Sequence, residues 1–393
     1  MAVLGILTIN IASFAAGEAA VLSPDAPDPG SAADRLAFAV NLVLFEGKMR
    51  ALFSLLFGAS LLLFVERADA AGRDGTALQL RRLVWLMVFG FVHFALLWDG
   101  DILFVYGAIG LAALGFRRSQ ASHKLIAAGL ALALWQAFSS AAWIAPLTNE
   151  SAVAADTASP AAAQQHGQII AQYRQQEASR SAEVAASWPD EVAARMTDRP
   201  AYPLTLAFNN WGESLSFMLL GMALLQAGFF SGGTARQVLR RIAIGGLLLG
   251  GGASLGFALW AGARGYPELA MRYWTGYGLA FARAAMALGY AAVLLLAAPR
   301  LLNTALGQRL EAAGRMAFSN YIATSLIMTG IFHGWGLGLY GQYGAAARWL
   351  FVVGVWALML AWSPWWLRRF RHGPLEWLWR SLGAGQIQPF SRR

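Results

Sequence analysis

Residues that could do chemistry concentrate in two short runs. The first is His93 followed by Trp98-Asp99-Gly100-Asp101. An imidazole near carboxylates is the minimum equipment for general-base catalysis. A carboxylate fixes the ring tautomer and supports the cation formed when the ring takes a proton. His93, oriented by Asp99 or Asp101, is therefore the candidate base. The competing reading is a structural histidine bonded to a neighbouring carbonyl, beside two ordinary turn aspartates, because one histidine plus an acid is an unspecific pattern. The second run is Glu46-Gly47-Lys48-Met49-Arg50, in the middle of a long apolar block. Three charges in five residues cannot face lipid. They line an aqueous cavity, where Lys48 and Arg50 attract phosphates or a developing oxyanion, or the block is a re-entrant segment followed by a short span, or they form an internally compensated Glu46–Arg50 pair at i, i+4 that only fixes packing.

The remaining polar residues inside apolar blocks are thinner. Asn10, Asn209, Asn210, Glu213, Asn320 and Tyr321 are each a cavity lining or an ordinary interhelical hydrogen bond. Arg283, eleven residues into its block, needs a partner of opposite charge. His333 and His93 fall in the same half of the membrane and could together hold a haem, a weak signal from two histidines. No Gly-rich phosphate loop, zinc motif or nucleophile elbow occurs, so no metal site is expected.

These residues are carried by an unusually apolar chain. Of 393 residues, 58% are hydrophobic and only 13% charged, against about 25% charged in soluble domains. Lipid is the natural solvent for such a composition. The formal charge of +9 is dispersed between apolar blocks and cannot track phosphates along a nucleic acid. With no cysteine there is no disulfide framework, thiolate metal site or Cys nucleophile.

A spanning helix needs about 20 mostly apolar residues. Such blocks run 3–21, 36–65, 83–98, 102–116, 125–145, 204–230, 242–263, 273–298, 317–339 and 349–367. The fold class expected is all-α, a polytopic membrane protein of about ten transmembrane helices. The divisions are a five-helix half at 1–145, an extracytoplasmic polar loop with a helical segment at 146–203, a second five-helix half at 204–371 and a basic, aromatic tail at 372–393. No internal repeat relates the halves, so an inverted-repeat transporter is not indicated. The first block lacks a charged approach and reads as a retained span rather than a signal peptide, with the start codon expected to be placed late. On alternating loops, one side holds 19 Lys and Arg and the other 8. By the positive-inside bias the first side, with both termini, is cytoplasmic. The tail segment after Pro374 is expected as a short amphipathic helix on the anionic inner leaflet.

Four blocks together resemble one bacterial membrane family. They are Phe45-Glu46-Gly47-Lys48-Met49-Arg50-Ala51-Leu52-Phe53-Ser54-Leu55-Leu56-Phe57-Gly58, His93 with Trp98-Asp99-Gly100-Asp101-Ile102-Leu103, Ala313-Gly314-Arg315-Met316-Ala317-Phe318-Ser319-Asn320-Tyr321, and Gly373-Pro374-Leu375-Glu376-Trp377-Leu378-Trp379-Arg380-Ser381-Leu382. They are similar to the YeiB-like family, filed as domain of unknown function 418, and follow its order over nearly the whole chain. One departure is the N-terminus, where only Met1-Ala2-Val3 precede Leu4 in place of the family's basic Arg-Gly step. That family is distantly similar to transmembrane acyltransferases of the heparan-glucosaminide acetyltransferase type. The resemblance implies about ten helices, an acyl group taken from cytoplasmic acyl-CoA and delivered to an acceptor at the outer face, and a catalytic histidine in the early helices, for which His93 is the natural carrier.

The expectation is thus a multi-pass protein of the bacterial inner membrane that transfers an acyl group. His93, Asp99 and Asp101 would be catalytic. Glu46, Lys48, Arg50, Asn10, Arg283, Asn320 and Tyr321 would bind donor and acceptor. Acyl-CoA is the expected co-substrate, the acceptor a small molecule, lipid or glycan, and the surroundings membrane lipid without nucleic acid. Glycines 245, 246, 250, 251, 252 and 256 permit close helix contact and a homodimer. The rival is a transporter or exporter of a small metabolite or lipid using the same charges as a permeation path, with a quinone- or haem-binding protein as a third reading.

Overall fold

The computed structural model describes residues 2–26 and 28–392, and among them every extended element is helical. The chain opens with α1 (Ala2–Ala16) and α2 (Ala19–Leu22), followed by α3 (Ala32–Leu44) and α4 (Lys48–Ala70). Next come α5 (Gly75–Leu96), α6 (Leu103–Leu114) and α7 (Ala121–Ala154). Two polar helices, α8 (Pro160–Ala185) and α9 (Trp188–Asp198), lead into α10 (Tyr202–Gln226) and α11 (Arg236–Gly262). The short α12 (Glu268–Tyr273) passes through one π-turn (Trp274–Gly278) into α13 (Ala280–Leu301). The last elements are α14 (Ala305–Arg315), α15 (Ala317–Phe332), α16 (Ala345–Arg369) and α17 (Pro374–Ala384).

Seven of the ten apolar blocks each coincide with one helix; the first takes in α1 and α2, the second α3 and α4, and the eighth the π-turn and α13. Among the described residues, six units are long and apolar enough to cross a membrane: α3–α4, α5, α7, α11, α13 and α16. The helices α1, α6 and α15 are apolar but shorter. The chain is a polytopic α-helical membrane protein. Its outer surface agrees: Ile126, Leu130, Leu134 and Phe138 on α7, Leu248, Leu249 and Leu259 on α11, and Leu350 and Val353 on α16 all stand exposed. Apolar exposure on that scale is stable only against hydrocarbon.

The core is organised around α4 and α10. A Cβ on Gly58 would collide with the Met218 backbone, and one on Gly221 with the Leu55 carbonyl, so two glycines let the helix backbones touch. Helices α6, α5 and α7 pack around this pair on one side and α13 on the other. Gly246 and Gly250 of α11 face α13 in the same manner, whereas Gly245, Gly251, Gly252 and Gly256 meet nothing. Part of the glycine-rich stretch is therefore spent within the chain.

Several boundaries differ from expectation. The fifth span does not stop at 145. Helix α7 runs 34 residues through Pro146, roughly 50 Å at 1.5 Å per residue, and projects beyond a bilayer core. The second block breaks at Phe45-Glu46-Gly47, where Gly47 adopts a left-handed φ of 70° as N-cap of α4. The tail helix begins at Pro374 as expected, but it is docked into the bundle against α5 and α15. Glu376 accepts hydrogen bonds from the Phe318 and Ser319 amides at 2.7 and 3.0 Å, capping the open amides at the start of α15.

Candidate functional site

The break between α3 and α4 places its charges in three different settings. Lys48 is fully buried, and its ammonium donates to the Leu42 carbonyl at 2.6 Å. It closes the end of α3 and lines none of the major cavities. Arg50 reaches across to α10, donating to Asn210 Oδ1 at 2.9 Å and pairing with Glu213 Oε2 at 2.6 Å. Glu46 lies in the turn rather than on the helix, so the i, i+4 pair with Arg50 does not form. Arg283 of α13 meets the other oxygen of Glu213, Nε to Oε1 at 2.6 Å, an ion contact outside hydrogen-bond angles. It also donates to the carbonyls of Thr275 and Gly276 in the π-turn. One buried carboxylate thus clamps two arginines from separate helices.

A cavity of about 280 Å³ adjoins this clamp. Glu46, Gly47 and Arg50 form one wall, Asn10 and Ser13 of α1 another, and Gly100 and Asp101 a third. Asn210 and Ser214 of α10 complete its polar lining.

His93 lies immediately behind that third wall. Its Nδ1 is 2.8 Å from Asp101 Oδ1, both side chains 1% exposed. Asp101 Oδ2 accepts from the Phe104 amide at 2.7 Å, which fixes the carboxylate at the start of α6. With Nδ1–H donating to Asp101, the lone pair of His93 falls on Nε2. That atom is buried and has no hydrogen-bond partner. The ring is flanked by Tyr321, centroids 5.1 Å apart, and by Trp98 at 6.4 Å.

Asp99 is directed elsewhere. It pairs with Arg180 of α8 and, at 3.2 Å, with Arg199 beyond α9. Burial pushes its carboxyl up, but Arg180, Arg199 and Arg195 outweigh burial and hold it below 3.8. His333 belongs to this same far-end network, its Nδ1 2.9 Å from Glu191 Oε1. Arg195 donates to the Phe94 carbonyl at 3.0 Å and pairs with Glu191. These contacts clamp α8 and α9 over the end of α5. Of the two aspartates flanking Gly100, one serves His93 and the other anchors the polar cap.

Two further expected residues separate. Asn320 is fully buried and donates to the Ala313 carbonyl at 3.0 Å and Ser363 Oγ at 3.2 Å, while its oxygen accepts from Trp362 Nε1 at 2.8 Å. Every one of those contacts joins helices. Tyr321 instead lines a larger chamber of about 450 Å³ toward the arginine-rich end, and its hydroxyl accepts from the Ile102 amide at 3.3 Å. Ile6, Ile102 and Tyr106 border both voids. Tyr106 is tied to Ser54 at 2.7 Å, and nothing in its local sequence marks it as a partition. Glu213, the hub of the clamp, stands out in sequence only as one acid within an apolar block.

Among the described residues no three His, Cys, Asp or Glu side chains converge as metal ligands would. No solved structure matches the chain. The family model described as protein of unknown function (DUF418) matches residues 224–386. The uncharacterized protein YxaH of Bacillus subtilis is 31% identical over all of this chain and 94% of its own length. The uncharacterized protein YeiB of Escherichia coli is 29% identical over 97% of this chain and 93% of its own. An uncharacterized 39.9 kDa protein from the amylase 3' region of Bacillus acidopullulyticus is 26% identical over 97% of this chain and 90% of its own. With that family match and a relative 31% identical over the whole chain, the chain belongs to the DUF418 family.

Proposed function

We propose that this protein is a membrane-bound acyltransferase of the bacterial inner membrane, with the arginine-rich end in the cytoplasm and the α8–α9 cap outside. The observation that carries the reading is the buried His93–Asp101 pair, whose Asp101 lines a polar cavity and whose Nε2 has no hydrogen-bond partner. A buried imidazole whose Nδ1 is held by a carboxylate and whose Nε2 is free is poised to take a proton. In the reaction, an acceptor hydroxyl or amine gives its proton to Nε2 as its oxygen or nitrogen bonds to the acyl carbon of an acyl thioester. The C–S bond breaks, and the leaving thiolate takes the proton back from the imidazolium. Arg50, the one member of the clamp facing the cavity, supplies positive charge for the oxyanion that develops between these steps. Asp101 is a positioning residue, since it acts through His93.

The test uses the full chain in detergent or vesicles, assayed for acyl-CoA hydrolysis and transfer beside the His93→Ala variant. Turnover in wild type that disappears in the variant is the expected result. Equal turnover in both removes His93 from the mechanism. A second reading, transport of a small metabolite or lipid, is favoured by the two voids meeting end to end at Ile6, Ile102 and Tyr106. It predicts counterflow of solute without any requirement for CoA.

A further inference from the structure

The larger chamber has a composition that the transfer chemistry does not use. Its inner wall is apolar, formed by Phe53, Phe57, Leu61 and Phe318. Its mouth carries three guanidinium groups, Arg82 of α5, Arg315 at the end of α14 and Arg380 of α17. Its volume of about 450 Å³ lies within the roughly 300–1,000 Å³ typical of small-molecule sites.

No ion pair neutralises the charges there. Among the described residues none of the three arginines is within ion-pair distance of a carboxylate. Glu376, the acid in the lining, is already occupied by the Phe318 and Ser319 amides and by Ser319 Oγ at 2.5 Å. Arg82 is held in place without being neutralised. Its guanidinium packs over the rings of Phe64 and Trp379 at 4.0 and 4.2 Å, and Trp379 Nε1 donates to its carbonyl at 2.8 Å. The Arg82 Nε is buried and has no hydrogen-bond partner. Leaving a buried donor unsatisfied is costly, and gathering three like charges adds repulsion. An anion with several acceptor oxygens relieves both, and guanidinium matches phosphate geometry.

We propose that this chamber binds a phosphate-headed amphiphile, its phosphate held by Arg82, Arg315 and Arg380 and its hydrocarbon chain lying along Phe53, Phe57 and Leu61 toward Tyr106. Two sources share that chemistry, an acidic phospholipid from the adjoining leaflet and a water-soluble acyl thioester of a nucleotide phosphate. Only the second rests on the acyl-transfer reading.

The experiment measures binding of dioleoyl phosphatidic acid and of oleoyl-CoA to the full chain in detergent, with dioleoyl phosphatidylcholine as the zwitterionic control. The variant is the double substitution Arg315→Gln and Arg380→Gln, since both residues are exposed and neither forms an ion pair, and a wild-type melting temperature certifies the fold. Wild type is expected to bind one or both phosphate-monoester probes at least about tenfold more tightly than the control, with the double variant losing at least about tenfold. Competition between the two probes identifies the source. Equal affinity for all three probes, or unchanged affinity in a folded double variant, overturns the proposal. His93→Ala is expected to leave this binding intact, so loss of turnover there and loss of binding here are separate failures.

Discussion

Replacing Glu213 by Gln isolates the charge of the clamp with little change of shape. In the wild-type protein its two oxygens each stand 2.6 Å from a guanidinium nitrogen, and the carboxylate is 1% exposed. At an effective dielectric near 20, a pair with charge centres about 4 Å apart is worth about 4 kcal/mol before desolvation. Arg283 is equally buried, whereas Arg50 is 32% exposed to the cavity, so its share is reduced by water there. Gln keeps one acceptor but turns an amide toward donors it cannot satisfy. Leaving two cations without a counter-charge should cost about 3–5 kcal/mol. For a chain of this length that corresponds to a fall of roughly 4–6 °C in apparent melting temperature. The assay is thermal unfolding of the detergent-purified protein followed by tryptophan fluorescence. Adding Arg283→Met to Glu213→Gln should cost little more, because it removes one orphaned cation. Melting of Glu213→Gln within about 2 °C of wild type, or fully additive losses in the double variant, refutes the clamp.

Three further outcomes follow from the geometry. Gly47→Ala must hold a left-handed φ of 70° while its Cβ meets Arg283 Cδ; the conformation alone costs about 1–2 kcal/mol, so its melting temperature should fall clearly, and wild-type melting would contradict the tight turn. Asp101→Asn should lower turnover roughly 10²–10⁴-fold and alter its pH profile at unchanged fold, because the tautomer of His93 is no longer set; an unaltered profile would make Asp101 merely structural. The α8–α9 cap should withstand mild acid. Asp99 is held below 3.8 in the folded protein, so its stabilisation persists above that value and disappears only as pH falls through the still lower folded pKa. Burial raises Glu183 above 4.5, and protonating such a group favours the folded state as pH falls. Limited proteolysis of residues 155–200 should therefore be unchanged from pH 8 to about 5, and cleavage appearing near pH 6 would count against this network.

The apolar helices, their order along the chain and the arginine asymmetry of their connections were legible in the residues themselves. Burying a backbone in hydrocarbon demands long apolar helices whatever their neighbours, so composition along the chain is enough. The break at Gly47 also had a local cause, three charges around a glycine. Which polar residues meet was another matter. Arg50 could be seen to need an anion, but its nearest acid in sequence, Glu46, is excluded by the turn, and its partner lies 163 residues away on α10. Asp99 and Asp101 are two residues apart and equivalent by type, yet packing of α8 and α9 sends one to Arg180 and leaves the other for His93. Asn320 and Tyr321 are adjacent and diverge because successive positions on a helix point about 100° apart. Pairing of charges across helices depends on crossings set by close contacts such as Gly58 and Gly221, and no local pattern encodes them.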